Sequence, residues 1–486
     1  MLGFIHLFSL ALAVFALAML APAAVGLLHG ELAAAIWFLA MAGGIGFAAG
    51  GLILAFRGRP RRPSGQDGYF FAVALWCIPA VLGALPLMPT AGLDFWGAIF
   101  ESTSGYTTTG ATVLGQLSVV ARSAIFWRAE LQWLGGLATL VSIGIVLAPG
   151  GTGGLPGRHI GLLDPATPGG DYRLRAVIRD IAGAYGVLTV ACLLLLLLVG
   201  IPVFDAFCLT FSTVSTGGFM PRDGNLAVYR NGAAEVVLMV FMLAGGTSVL
   251  WHRMLIGRRW QLLLEHRESY WVIGMAIAVG IAYAFAYHRV APMFVGLAPL
   301  TTLRESLLAG ISLVTTTGYS AGGVNLSLLP LTLVLLLALA GGGSFSTAGG
   351  LKYYRIGGML VQARHELRRL IYPHGVRSTR FGSQPYNMPM MRAIWGHLFV
   401  SLLTVAVAAL VVSVAGSNFI GALSSAIAAF ANIGPLHGAG WGSEGVWQEF
   451  ADMPGFAKLA LATAMVLGRL EVVALLAAFN AAYWRS

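Results

Sequence analysis

Apolar residues run through the chain in stretches of about 20, divided by short segments where Arg, Gly, Pro or Thr gather. At about 1.5 Å of rise per residue, a helix of that length crosses a hydrocarbon core of about 30 Å. The pattern predicts spans at 4–27, 33–56, 69–90, 124–147, 180–201, 232–252, 270–290, 394–416 and 457–480. One further run, 328–363, is too long for a single crossing and is expected to break internally. The first run has no basic leader and exceeds the apolar core of a signal peptide, so despite a cleavage-like APAA at 21–24 it reads as a retained span. Composition agrees: 58% of the 486 residues are hydrophobic, 10% are charged, and the mean hydropathy is +0.81. The expectation is an all-α integral membrane protein with no soluble domain.

Four shorter, semi-polar stretches interrupt this pattern and cannot cross a bilayer. They read DFWGAIFESTSGYTTTGATVL (94–114), FDAFCLTFSTVSTGGFMP (204–221), LRESLLAGISLVTTTGYSAGG (303–323) and FIGALSSAIAAFANIGPLHGAG (419–440). Each begins as an amphipathic half-helix and ends in a small-residue tract centred on Gly110, Gly217, Gly318 or Gly434, at separations of 107, 101 and 116 residues. The unit of span, half-helix, glycine tract and span is therefore used four times. The expected organisation is a hairpin at 1–66 followed by units at 67–178, 179–268, 269–386 and 387–486, the third with a broken second helix.

Charge sets the orientation. The formal net charge of +10 comes almost entirely from arginine, gathered in RGRPRR (57–62), GRR (257–259) and RHELRRL (364–370). Threading these inside places the inner loops at 148–179, 253–268 and 364–392, and puts all four glycine tracts on the outer side. The basic balance is thus a topology signal and not a nucleic-acid footprint. Cys77, Cys192 and Cys208 stand singly among apolar residues, and His159, His252, His374 and His437 form no metal spacing. No hydrolase, Walker, zinc-protease or CxxC pattern is present, which argues against an enzyme.

In lipid, non-helical backbone survives only where protein or water satisfies it. Four re-entrant tracts on one side must therefore meet at a shared interior. The tracts TTTGAT, VSTGGF, TTTGYS and ANIGPL carry no charge, so their carbonyls are the available ligands. Carbonyl rings replace the hydration shell of a cation, and the half-helices aim their partially negative C-terminal ends at the same place. For any single tract, close helix packing by Ser, Thr and Gly is the simpler reading. Fourfold recurrence after a half-helix favours an ion path.

Inside the long run, ALAGGGSFSTAGGLKYY (338–354) interrupts a helix at mid-membrane depth, because three consecutive glycines do not sustain one. Lys352 closes this segment, and Arg469 lies within the last span, where a charge is costly and by default functional. Glu471, two residues on, faces elsewhere on the helix. An ion pair of Arg469 with Glu130 is the structural alternative to a role beside an ion path. Asp205 and Glu305 read as acidic residues complementing half-helix N-termini.

Together with WRAELQWLGGLA (127–138), GGGSFSTAGGLK (341–352), RRLIYPHGV (368–376) and GRLE (468–471), the four tracts resemble the Trk/Ktr/HKT superfamily of potassium transporters. The likeness covers nearly the whole chain, and the extra hairpin points to the bacterial TrkH-like branch. The resemblance implies four fused M1–P–M2 pore units with pseudo-fourfold symmetry and K+ as the transported ion, with no organic cofactor in this chain. The implied filter comprises Thr108, Thr109, Gly110, Ala111 and Thr112, then Ser215, Thr216, Gly217, Gly218 and Phe219. Its other half is Thr316, Thr317, Gly318, Tyr319 and Ser320, then Asn432, Ile433, Gly434, Pro435 and Leu436. The implied gate is an intramembrane loop of Gly341, Gly342, Gly343, Ser344, Phe345, Ser346, Thr347, Gly349, Gly350 and Lys352, with Phe345 where relatives generally carry a small residue. Arg469 matches a basic residue near the pore. A homodimer, a Trk-A/RCK-type cytoplasmic nucleotide-binding subunit, membrane lipid as surroundings and the inner membrane as location are likewise implied. Two other classes are weighed against this. A secondary transporter with inverted repeats would show two matching halves, and a non-transporting subunit would not need four equivalent uncharged tracts. Channel-like flow and coupling to sodium or protons both stay open.

Overall fold

A computed structural model describes residues 2–56, 65–143, 170–256, 258, 260–290, 298–371, 380–381, 384–386, 388–438 and 447–470. The predicted inner loop at 57–62, most of 148–179, and the end of the last predicted span at 471–480 lie outside the described residues, as do His159, His374 and Glu471. The chain opens with α1 (Leu2–Ala18), α2 (Leu20–Leu28) and α3 (Leu32–Ala55), the predicted hairpin. A long helix, a short helix and a second long helix then follow in order: α4 (Gly65–Ala91), α5 (Phe95–Tyr106) and α6 (Arg122–Ser142). The same order recurs in α7 (Gly170–Leu198), α8 (Val203–Val214) and the pair α9 (Gly232–Gly246) and α10 (Val249–Ile256). After a short α11 (Trp260–Glu265) come α12 (Arg267–Val290), α13 (Pro299–Val314), α14 (Leu331–Ala340) and α15 (Tyr353–Ile371). The last set is α16 (Met388–Val414), α17 (Phe419–Phe430) and α18 (Gly455–Leu470). A two-residue antiparallel pair, Arg380–Phe381 with Gln384–Pro385, lies between α15 and α16.

Among the described residues, six helices are long and apolar enough to cross a membrane, or seven if the bent pair α9–α10 counts as one span. The predicted spans that miss this test do so for visible reasons. α6 carries Arg122, Arg128 and Glu130, α14 and α15 are separate, and α18 is described only to Leu470. Two boundaries differ from expectation. The predicted sixth span, 232–252, is not one helix but bends by 104° between α9 and α10. The predicted inner loop from 364 begins later, because α15 continues to Ile371.

The short helices are placed by caps and aromatic contacts. Asp94 accepts the Gly97 N–H at 3.0 Å and Asn418 accepts the Gly421 N–H at 2.7 Å, starting α5 and α17 with side-chain N-caps. The hairpin grips the first unit. Phe15 meets Trp127 edge-on at 5.4 Å and Tyr106 at 6.1 Å, while Trp127 donates to the Gly83 carbonyl at 3.0 Å. Glu31, between α2 and α3, accepts the Arg122 and Ser123 amides at 2.7 and 3.0 Å and so caps α6 across the fold. The short helices are buried over most of their length, which lets them end inside the protein.

Candidate functional site: a ring of four helix ends above a broken helix

All four short helices end the same way. The residue after each C-cap, namely Thr108, Thr216, Thr316 and Asn432, lies in the left-handed region with φ of 54°, 54°, 58° and 54°. The next amide reaches back to the helix: Thr109 N–H to Ser104 O at 2.8 Å, Gly217 to Ser212 at 2.7 Å, Thr317 to Ser312 at 2.9 Å, and Ile433 to Ala428 at 2.9 Å. This is the Schellman helix end, normally built on glycine. Here three of the four positions hold β-branched threonine, at a cost of about 1–2 kcal/mol each, so surrounding contacts must enforce them.

The repeated ending fixes the register of the tracts. The third residue after each C-cap is Gly110, Gly218, Gly318 or Gly434, and the first three take φ of 77°, 83° and 85°. In the second tract the equivalent of Gly110 is therefore Gly218, not Gly217, which stands in the place of Thr109 and Thr317. Ser215 correspondingly becomes the helix C-cap, below the tract. Gly434 departs from the other three and opens a short turn, Gly434–Leu436.

The tracts form a closed ring. A Cβ built on Gly110 would collide with the Gly217 carbonyl, one on Gly218 with the Thr317 carbonyl, one on Gly318 with the Pro435 ring, and one on Gly434 with the Ala111 backbone. First meets second, second third, third fourth, and fourth first. The last joint is also hydrogen-bonded, Gly434 N–H to Thr109 O at 2.6 Å and Asn432 Nδ2 to Thr109 Oγ1 at 2.9 Å. Gln132 of α6 holds the second tract, donating to Gly217 O at 2.8 Å and accepting the Phe219 N–H at 3.3 Å. Ring carbonyls at Thr109 and Gly217 thus already take one bond each from the protein.

On the outer side each tract is tied back to its own short helix. Buried Glu101 accepts the Val113 N–H at 2.8 Å and pairs with buried Arg128 at 2.6 Å, and Arg128 also stacks on Phe219 at 4.1 Å. Asp205 pairs with Arg222 at 2.6 Å. Glu305 lies mid-helix, not in the first turn of α13, and accepts the Gly323 N–H at 3.0 Å, so the expectation that it complements the helix N-terminus is corrected. In the fourth unit Ser424 bonds His437 Nδ1 at 3.0 Å, and His437 Nε2 contacts Gln448 O at 3.1 Å. Above the ring lies a cavity of about 390 Å³ whose lining includes Gly110, Gly218, Gly318 and Gly434.

Below the ring sits the 341–352 segment. Thr216 Oγ1 donates to Thr347 Oγ1 at 3.3 Å, and the Gly349 N–H donates to Thr316 Oγ1 at 2.7 Å. A Cβ on Gly349 would collide with the Ala431 carbonyl at the base of the fourth tract. Arg469 completes the contact to the first tract. Its guanidinium donates to Thr107 O at 2.6 Å and to Thr108 Oγ1, and also to Thr347 O at 2.5 Å and Ala348 O at 3.0 Å. Lys352 Nζ donates to Ala348 O. Residues 347–349 thus reach the bases of three tracts directly and the first through Arg469, and the enforced threonines are held from beneath. Arg469 binds backbone and Thr108, not the Glu130 weighed as its ion-pair partner; among the described residues Glu130 Oε2 is buried without a hydrogen-bond donor.

Sequence reasoning did not find the second half of this arrangement. The 104° bend leaves α9 carbonyls and the first α10 amide unpaired, and the intramembrane loop satisfies them. Gly343 N–H donates to Gly246 O at 2.9 Å, Thr347 N–H to Gly245 O at 3.0 Å, and Val249 N–H to Phe345 O at 2.9 Å. The available signal was AGGTS at 244–248, a small echo of GGGSFST.

Fold and site together define an all-helical membrane protein built around a ring of four re-entrant helix ends. The family model for TrkH, described as a cation transport protein, matches residues 40–486, and the chain belongs to that family. It is a family of transport proteins and not of enzymes. The chain is 31% identical over 439 residues to the Trk system potassium uptake protein TrkH of Salmonella typhimurium, covering 87% of this chain and 88% of the relative. It is also 31% identical to the protein of the same name from Halomonas elongata, covering 99% and 98%. The crystal structure of the potassium transporter TrkH from Vibrio parahaemolyticus superposes with a TM-score of 0.84 at 26% identity, covering 100% of this chain and 99% of that one.

Proposed function

We propose that this chain carries potassium into the cell across the cytoplasmic membrane. The ring of tracts acts as the selectivity filter and the 341–352 loop as the gate beneath it. The observation that carries the reading is the closed ring of four equivalent helix ends, with residues 347–349 against the bases of the second, third and fourth and joined to the first through Arg469. Potassium sheds water at the outer cavity, and carbonyls of the ring replace its shell. Thr108 and Gly110 are both left-handed, at φ of 54° and 77°, a backbone that lets carbonyls of the tract turn toward one centre. The short helices direct their C-terminal partial charges to the same centre. Arg469, bonded to both the first tract and the loop, adds a positive charge that limits how many cations rest there.

Each of the repeated sets at 67–178, 179–268, 269–386 and 387–486 is one pore unit in this reading. The chain works as a homodimer and is regulated by a separate nucleotide-binding subunit of the Trk-A/RCK type, docked on the basic inner side. What supports this is the resemblance of the motifs, together with curated relatives that are named as parts of a Trk system.

Expression in cells without their own potassium uptake systems tests the function. Growth at low potassium and rubidium flux in liposomes are the expected outcomes, and absence of both overturns the reading. Flux measured with and without sodium or proton gradients separates channel-like flow from coupling. Gly110→Ser tests the filter. At φ of 77°, and with its Cβ directed at the Gly217 carbonyl, a side chain there must displace the ring. Potassium-over-sodium selectivity is expected to fall by about tenfold, a change of ~1.4 kcal/mol in relative site energy. Unchanged selectivity removes Gly110 from the filter.

A further inference from the structure

α12 follows the arginine-bearing loop that the charge pattern threads inside, and Glu268 in its first turn is buried. Its Oε1 accepts the Ser344 N–H at 2.6 Å and the Tyr354 N–H at 3.1 Å. Ser344 lies in the middle of the intramembrane loop, and Tyr354 is the second residue of α15, the helix that continues from it. One carboxylate oxygen therefore joins the loop to the start of α15. The first amides of a helix have no partner within it, and an anion placed there also gains from the helix dipole. With a carboxylate as acceptor in a site removed from water, both bonds are charge-assisted.

The opposite side of the loop is held by the opposite charge. Arg469 donates to the Thr347 and Ala348 carbonyls, so the segment is gripped by a cation from the ring side and by an anion from α12. The two grips differ in what they hold. Arg469 also binds the first tract, whereas Glu268 touches the loop and α15 and, among the described residues, makes no hydrogen bond to any of the four tracts. Glu268 also belongs to the inner segment 249–268, whose first amide, Val249 N–H, donates to Phe345 O at 2.9 Å. A displacement of that segment would draw on the loop at Ser344 and Phe345 together.

We propose that Glu268 is a positioning residue for transport, a latch on the inner side that keeps the 341–352 loop under the ring. This rests on the gate reading given above. Removing the latch frees the loop without touching the filter, so flux and selectivity should separate.

The full chain in liposomes provides the test, with rubidium flux and potassium-over-sodium selectivity as paired readouts. Glu268→Ala removes both acceptor bonds and is expected to raise basal flux by about tenfold, the scale of one lost charge-assisted bond. Glu268→Gln keeps the shape and one acceptor oxygen and is expected to give a smaller rise, of roughly threefold. Selectivity stays at the parent value in both. Should the alanine variant fail to assemble, the isosteric glutamine variant carries the same expectation. Flux at or below the parent level in intact Glu268→Gln protein overturns the proposal, and so does a rise accompanied by lost selectivity, because the disturbance has then reached the ring. A chain lacking residues 343–347 is measured alongside. If that deletion raises flux and the Glu268 variants do not, the latch fails and the gate stands. If the deletion also leaves flux unchanged, the gate reading has failed and the latch with it.

Discussion

The second and third units each interrupt their second long helix, and they do so on different scales. In the second, only Thr247 and Ser248 separate α9 from α10, and the axes turn by 104°. In the third, the whole of 341–352 separates α14 from α15. A two-residue break frees polar backbone groups but contains too little chain to satisfy them. A long break has spare amides and carbonyls to offer. The structure uses each to complete the other: Gly343, Phe345 and Thr347 supply the groups that Gly245, Gly246 and Val249 lack. Neither interruption would be tolerable in hydrocarbon alone. The long break fits the short one as a plug fits its socket, and both lie beneath the ring of four tracts.

The largest test of this pairing is deletion of residues 343–347. It removes the Gly343 and Thr347 amides and the Phe345 carbonyl in one step, along with the Ser344 bond to Glu268. Basal rubidium flux in liposomes is expected to rise by tenfold or more, which corresponds to a shift of at least ~1.4 kcal/mol in the balance of closed and open forms. Unaltered or lower flux from protein that still reaches the membrane would show that the loop packs the fold and does not block it.

The difference between the two breaks also marks what could be read without coordinates. Three glycines in a row at 341–343 announce that a helix cannot continue, and the run of 328–363 is too long for one span, so the third-unit break was legible. Gly245 and Gly246 are a small pair in an apolar run, a pattern that ordinary helix packing also produces, so the second-unit break was not. The four tracts stood out because they recur, but VSTGGF offers two glycines and sequence has no means of choosing between them. Only the helix cap at Ser215, with Thr216 left-handed, selects Gly218. Arg469 was visible as an intramembrane charge. Its partners were not, since they are carbonyls and a hydroxyl far away in sequence, and carbonyls carry no letter of their own. Glu101 and Glu268 escaped notice for a similar reason: each bonds backbone amides that could belong to any residue.

A smaller perturbation sharpens the comparison from the socket side. A methyl group at Gly246 would sit 2.6 Å from Thr315 Cγ2 and 2.9 Å from its Cβ, and Thr315 is the C-cap of α13. Gly246→Ala therefore wedges the second-unit break against the base of the third tract. Overpacking of this kind costs about 1–3 kcal/mol. A lower thermal midpoint in detergent and a flux rise of a few-fold are expected, less than for the deletion, because Arg469 and Glu268 still hold the loop. Gly274→Ala on α12 is the matched control, since a Cβ there meets nothing within 4 Å. Equal behaviour of the two alanine variants would mean that the socket does not depend on close approach at Gly246.

The mildest test lies on the plug itself. Phe345 is buried and holds φ of 57°, a conformation that costs a residue with a Cβ about 1–2 kcal/mol. Phe345→Gly relieves that strain while keeping the carbonyl that accepts from Val249, so the backbone joint between plug and socket survives. What disappears is the buried aromatic ring. If backbone joints dominate closure, relief of strain and loss of packing nearly cancel, and flux changes by less than about twofold, under ~0.4 kcal/mol. If the aromatic ring itself seals the path, flux rises toward the level of the deletion. Measuring Phe345→Gly beside the 343–347 deletion thus divides the plug into its backbone and side-chain parts. The mutual satisfaction of the two breaks makes the first outcome the expected one.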